Sequence, residues 1–350
     1  MSTHHISRRT RARLGAALVL GLAVSLTACS TGGDGATGGD DAPTPFGIVE
    51  AVVNPFYAPF PKALEDAAAE FDINPVPERN APQDYDQAQE NAVVDAFVAK
   101  GVVGISIQPV DPVGGNQTIK RLVEQGIHVV STGACDKTNE AGAAVCIQAD
   151  LYVHAYDATT KLIEAMGGKG NIVHLAGALA GNTTPPRIKG VEDAVAEHPD
   201  VKLIQVITDI DTPELAQNAV ANLLAAKGSE INGVVSTAYN TSVAWANAMI
   251  NADNTSIPSV LTDTDPIVIE AVKDGYATGF MASNAYAQAY LAAYSLKLMT
   301  QGCTFADPSK FLYGIPYKFV DAAGADTVGT DLEKQAHDIG STWKDDFWTC

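Results

Sequence analysis

The chain has 350 residues, 46% of them hydrophobic, with 41 acidic against 22 basic side chains and a formal charge of −19. That length and apolar fraction suit two domains with sizeable cores and exclude a low-complexity or disordered chain. So acidic a surface repels polyanions, which argues against nucleic acid and anionic lipid as partners of the folded body and for an uncharged or cationic small ligand over a phosphorylated one.

The first 28 residues differ from the rest. Arg8, Arg9, Arg11 and Arg13 precede an apolar run from Leu14 to Leu26, followed by the small residues Thr27 and Ala28 and then Cys29. A basic head, a short apolar centre and a small-residue cleavage point predict a secretory signal over 1–28, too short and interrupted for a spanning helix. Adjacent Arg8 and Arg9 leave both the general and the twin-arginine export routes open. Losing those four arginines takes the charge from −19 to −23. Ser30 to Pro45, STGGDGATGGDDAPTP, has no apolar period, so 29–45 reads as a flexible tether.

Phe46 to Pro61, FGIVEAVVNPFYAPFP, reads as a strand, a turn and a helix start. Ligands of open parallel sheets sit beyond the carboxyl ends of the strands, which singles out Asn54, Phe56 and Tyr57. Further strands are expected at Val102–Gln108, His128–Ser131, Asn171–Leu175, Val201–Ile207, Gly233–Thr237, Ser259–Thr262 and Thr278–Ser283. Helical patterns lie between them at Tyr85–Lys100, Asn116–Gln125, Leu151–Met166, Pro213–Ala226 and Ala285–Thr300. Such alternation means an α/β fold of helix-covered parallel sheets. The run is too long for one sheet. Seams at Gly142–Asp150, near Ser283 and at Phe311–Pro316 divide it into one lobe of 46–149 plus 284–310 and another of 150–283 plus 311–350, tail included. Two lobes joined by three crossings form a hinge around a cleft.

Of the five cysteines, Cys29 stands at the cleavage point. Cys135, Cys146, Cys303 and Cys350 are an even set in an oxidising compartment and predict two disulfides. Of the three pairings, Cys135 with Cys146 would close a local excursion and Cys303 with Cys350 would pin the tail. No Cys-x-x-Cys, His-Glu-x-x-His, Gly-x-Ser-x-Gly or phosphate-loop pattern occurs, so neither an enzyme nor a metal or cofactor is expected. His128, His154, His174 and His198 lack metal spacing and read as structural.

Several stretches together carry a resemblance. FGIVEAVVNPFYAPFPKALEDAA, GISIQPVDP, GKGNIVHLAG, PPRIKGVEDAV, HPDVKL and VLTDTDPIVIEAVKDGYATG resemble, in order and spacing, the ribose-binding family of periplasmic solute receptors, from Phe46 to about Val320. The resemblance implies the type I fold, two Rossmann-like lobes joined by a three-strand hinge. It also implies a monomeric receptor that feeds an ABC permease with a small neutral sugar or polyol. Leu26-Thr27-Ala28-Cys29 likewise resembles the lipobox of bacterial lipoproteins, which implies lipidation of Cys29 and anchoring to the outer face of the cell membrane. Repressors with the same body carry an amino-terminal DNA-binding helix pair; here a signal and a tether occupy that place.

By the resemblance, Asn54 ends the first strand, Phe56 and Tyr57 form the aromatic pair that packs on a sugar ring, Arg187 grips the ligand from a helix start, and Asp263 accepts from hydroxyls. Asp150 matches an acidic position near the first crossing and serves equally well as a helix N-cap. Elsewhere the pattern departs. Thr132-Gly133-Ala134-Cys135 stands where the family usually has an aspartate, and Tyr239-Asn240-Thr241 replaces Asn-Asp-Glu, which makes Tyr239 or Asn240 the candidate there. Ser283 replaces a common glutamine, and Ile210 stands where an aromatic is frequent. Glu50, a carboxylate inside an apolar strand, must face the cleft as a ligand group or sit in a buried ion pair. The retained parts suit a pentose, hexose, sugar alcohol or smaller sugar-like signal, held for import or presented to a sensor.

Overall fold

A computed structural model of the protein describes residues 45–133, 135, 138–179 and 183–350. The expected signal, the expected lipidation at Cys29 and nearly all of the expected tether fall outside them.

The first lobe runs β1 (Phe46–Val49), α1 (Phe60–Glu70), β2 (Glu78–Asn80), α2 (Gln87–Ala99), β3 (Gly104–Ile107), α3 (Pro112–Glu124), β4 (His128–Thr132) and β5 (Cys146–Gln148). The second runs α4 (Leu151–Ala165), β6 (Gly170–Leu175), α5 (Thr184–Ala196), β7 (Val201–Ile207), α6 (Pro213–Lys227), β8 (Gly233–Ser236), α7 (Tyr239–Asn251), β9 (Ser259–Thr262), α8 (Pro266–Lys273) and β10 (Gly279–Ala282). The chain ends with α9 (Ala285–Thr300), β11 (Thr304–Phe305), β12 (Leu312–Gly314), β13 (Lys318–Val320), α10 (Val328–Phe347) and β14 (Trp348–Thr349).

One six-stranded sheet has the order β2-β1-β3-β4-β5-β12, with every pair parallel. The other has the order β7-β6-β8-β9-β10-β13, parallel except where β13 runs against β10. Central strands such as FGIV and GVVS are buried along their whole length, as strands covered on both faces must be. Asp86, Asp111, Asp150 and Thr212 start α2, α3, α4 and α6 by accepting from backbone N–H groups of the first turn. β1 ends at Val49 and β3 spans Gly104–Ile107, both shorter than their apolar runs suggest.

The chain crosses between the sheets after Gln148, after Ala282 and after Gly314. From Phe311 on the structure departs from the sequence reading, which assigns all of 311–350 to the second lobe. Leu312–Gly314 is an edge strand of the first sheet, paired with Cys146–Gln148. The helix α10 then straddles both lobes: Val328 and Leu332 join the core of the second, whereas Ala336 and Trp343 join that of the first. Its apolar stripe is long enough to serve two cores in succession. The Trp343 indole donates to Ser295 Oγ of α9 at 3.0 Å. Cys135 is bonded to Cys146, and Cys303 to Cys350, the latter beside the β11–β14 pair. Among the described residues no helix is long and apolar enough to cross a membrane.

Trp343 is fully buried, so Trp343→Ala should remove about 3–5 kcal/mol of stability, read as a lowered midpoint in chemical denaturation. A shift below about 1 kcal/mol would show that α10 is not part of the first lobe's cooperative core.

Candidate functional site

Strand carboxyl ends from both sheets meet at one cavity of about 760 Å³, its open mouth included. Asn54 follows β1 and caps a 3₁₀ turn over Pro55–Tyr57, its Oδ1 accepting from Phe56 N at 2.9 Å. The turn places Phe56 and Tyr57 in the wall, their rings edge to face at 5.1 Å. Tyr57 also packs into the first-lobe core against Phe60. The first lobe adds Tyr85, Gln108, Gln148 and Gln288 to this wall.

The second lobe supplies charge. Arg187 stands in the first turn of α5, Asp211 lies between β7 and α6, and Asp263 follows β9 in the left-handed region at φ 68°. Burial pushes the Asp263 carboxyl up to about 6, against the opposing pull of Arg187 and of the neighbouring Ser283. Burial likewise raises Asp211, although Arg187 draws it back, and it lowers Arg187, although Asp263 and Asp211 oppose that. Tyr85 stands beside the Asp211 carboxylate, so a first-lobe side chain meets a second-lobe acid across the cleft. Tyr239 lines the cavity at the start of α7 and donates to Asp265 Oδ2.

Five polar atoms of the wall are buried without a partner among the described residues: Oε1 of Gln108, Gln148 and Gln288, Oδ1 of Asp263 and Nε of Arg187. Orphaned buried groups are costly, and five around one cavity suit a polar molecule that supplies hydrogen bonds at several points. Among the described residues no group of three or more His, Cys, Asp or Glu side chains is placed to hold a metal ion.

Of the residues singled out in the sequence, Asn54, Phe56, Tyr57, Arg187, Tyr239, Asp263 and Ser283 line this cavity. Three do not. Glu50 is buried in a two-point ion pair with Arg79, Oε1 to Nε at 2.5 Å and Oε2 to Nη2 at 3.0 Å. Strand β2 lies beside β1 and brings Arg79 there, so this carboxylate holds the sheet edge instead of facing the cleft. Asp150 caps α4, its Oδ1 accepting from Tyr152 N and Val153 N. Asn240 stands behind the wall, where its Nδ2 donates to the Asp211 carbonyl at 2.7 Å and braces that loop. His154 and His174 are buried, and burial pushes both down to about 3, so they stay neutral.

Sequence reasoning missed Tyr85, Gln108, Gln148, Asp211 and Gln288. Gln108 and Gln148 sit at strand carboxyl ends, the same signal that singled out Asn54, so those two were findable. Asp211 is one acid among many on an acidic chain, and Tyr85, read from the sequence as the first residue of a helical pattern, stands in the loop before α2.

A sequence profile described as a periplasmic binding protein domain matches residues 48–303. The chain is 27% identical over 199 residues to a xylitol-binding protein of Mycolicibacterium smegmatis, an alignment covering 57% of this chain and 56% of that one, so the match spans little more than half of the relative's length. Similar solved structures include an ABC transporter solute-binding protein of Burkholderia graminis in complex with D-arabinose, with TM-score 0.73, 19% identity, and 80% and 95% of the two chains covered. Another is a solute-binding protein of Bacillus halodurans with bound myo-inositol, with TM-score 0.71, 18% identity, and 83% and 99% covered. At these identities the likeness establishes the shared fold.

The raised Asp263 value has a consequence for stability. A carboxyl whose value rises on folding, from an ordinary level near about 3.9, makes stability fall as pH climbs from the unfolded value through the folded one, because ionisation must then occur in the buried site. Asp263→Asn removes that titration. The melting temperature of the unliganded variant, minus that of wild type, should therefore become more positive between about pH 4 and about pH 7.5. A difference flat with pH would mean that Asp263 ionises without penalty.

Proposed function

The chain belongs to the periplasmic binding protein domain family, whose members are extracytoplasmic solute-binding proteins and not enzymes, and from that premise we propose that it is the substrate-binding subunit of an ABC importer for a neutral sugar or polyol. The observation that carries this reading is the set of five unpartnered polar atoms, contributed by both lobes, around one cavity. A polyhydroxylated molecule offers a donor and an acceptor at every hydroxyl, which matches carboxamide and carboxylate oxygens together with one guanidinium. Phe56, Tyr57, Tyr85 and Tyr239 give apolar ring surface for the C–H faces between those hydroxyls.

The ligand-contacting set in this reading is Asn54, Phe56, Tyr57, Arg187, Tyr239, Asp263 and Ser283, joined by Tyr85, Gln108, Gln148, Asp211 and Gln288. With Arg187 facing Asp211 and Asp263, the set has no excess of positive charge to hold a phosphate. The xylitol-binding relative and the neighbours with D-arabinose and myo-inositol make an alditol, a pentose and a cyclitol the first molecules to try. Capture works by population shift: a ligand that touches both walls favours the closed arrangement, and a membrane permease takes the ligand from it. Export through the signal over 1–28 and a lipid on Cys29 would keep the receptor beside that permease.

Melting of the purified mature domain with millimolar xylitol, D-arabinose or myo-inositol should show stabilisation by at least one of them, about 2.7 kcal/mol at a hundred times its Kd. Arg187→Met should abolish that shift. No stabilisation by any of these, or by a wider panel of neutral sugars, would overturn the reading.

A further inference from the structure

Gln108 and Gly133 follow the ends of the neighbouring strands β3 and β4, and both line the cavity. Gly133 has φ +71°, in the left-handed region, and a Cβ placed on it would stand 2.3 Å from Cδ, 2.4 Å from Oε1 and 2.6 Å from Nε2 of Gln108. Three such similar distances mean that the Gln108 carboxamide lies flat over the bare Cα of Gly133. The backbone beneath both residues is held. Gln108 N donates to Val49 O at 3.0 Å, and Gly133 N donates to Ile147 O at 3.3 Å. The buried Glu90 carboxylate accepts from Val110 N at 2.7 Å, and the Cys135–Cys146 bond ties the chain two residues beyond Gly133 back to β5. The carboxamide is therefore the movable part of a fixed frame, and its Oε1 is buried without a partner among the described residues.

We propose that Gln108 is a specificity-determining residue, and that Gly133 is the positioning residue whose missing side chain lets the Gln108 carboxamide enter the cavity. This rests on the reading of the cavity as a polyol site and names the chemistry that its first-lobe wall selects. That wall carries the carboxamides of Asn54, Gln108, Gln148 and Gln288, whereas the ionisable acids and the arginine come from the second lobe. A carboxamide donates and accepts without charge, as a hydroxyl does, so it pairs with hydroxyls on adjacent carbons. It offers no countercharge to a sugar acid. Gln108 thus favours the uncharged alditol or sugar over its oxidised, carboxylate-bearing counterpart.

A double-mutant cycle on the mature protein, with xylitol, D-arabinose and myo-inositol titrated calorimetrically, tests the pair. Gln108→Ala should weaken the best of these probes about tenfold, and Gly133→Ala by a similar factor, because its Cβ displaces the same carboxamide. The double variant should bind no more weakly than either single one. The left-handed strain of alanine at 133 is present in both backgrounds and cancels in the cycle. Gly133→Asn carries the same Cβ on a residue that tolerates that backbone and repeats the test if the alanine variant folds poorly. Losses that multiply, to about a hundredfold, would overturn the coupling. In the unliganded protein the Gln108 side-chain amide resonances, identified by their disappearance in Gln108→Ala, should move in Gly133→Ala; unchanged positions would overturn the seat. Should wild type bind none of the probes, the polyol reading falls, and the unliganded resonances still decide whether Gly133 seats Gln108.

Discussion

Arg187 is the one basic side chain among the described residues that line the cavity, and burial works against its charge. Its penalty is offset only where carboxylates share the burial, and Asp211 and Asp263 do so at the cost of being drawn toward their own neutral forms. That mutual dependence fixes the second-lobe wall. The loops after β7 and β9 must converge on the first turn of α5, and α5 must lie close against α4. Gly190, one turn beyond Arg187, makes the approach feasible, because a Cβ there would stand 2.4 Å from the Tyr152 carbonyl oxygen. Asn240 then braces the Asp211 backbone from behind.

The first lobe answers this charged wall with neutral groups and with the Asn54–Tyr57 turn. The two walls meet inside the cavity at Tyr85 and Asp211 and are linked outside it by the tail. Asn284, just past the second crossing, donates to Leu332 O and to Gln335 Oε1 of α10, both at 2.8 Å. Lys62 of α1 reaches Glu333, and His337 sits among Glu70, Tyr286 and Tyr290. With its last turns held by Trp343 and by the Cys303–Cys350 bond, α10 belongs chiefly to the first lobe and rests its first turns on the second. Any change of angle between the sheets is felt at the Val328 and Leu332 seat.

Much of this architecture was legible in the chain. Apolar runs at Phe46, Asn171, Gly233 and Ser259 are buried on both faces and so read plainly as strands of parallel sheets. Asp150 read equally well as a ligand group or a helix cap, and it caps α4. Glu50 shows the limit. An acid in an apolar strand announces that it needs a partner, but whether that partner is a ligand or Arg79 depends on β2, an exposed three-residue strand whose Glu-Arg-Asn sequence carries no strand signal.

Local patterns therefore determined the α/β class, the three crossings, and the strand ends at which Asn54 and Asp263 stand, because burial period and capping chemistry act over a few residues. Tertiary structure alone decided which of the many polar side chains share one cavity. Gln108 reaches it over a glycine just past the next strand, Asp211 depends on an arginine in the first turn of α5, and α10 divides its apolar stripe between two cores. Each of these relations joins residues distant in sequence through packing, and no local periodicity records it.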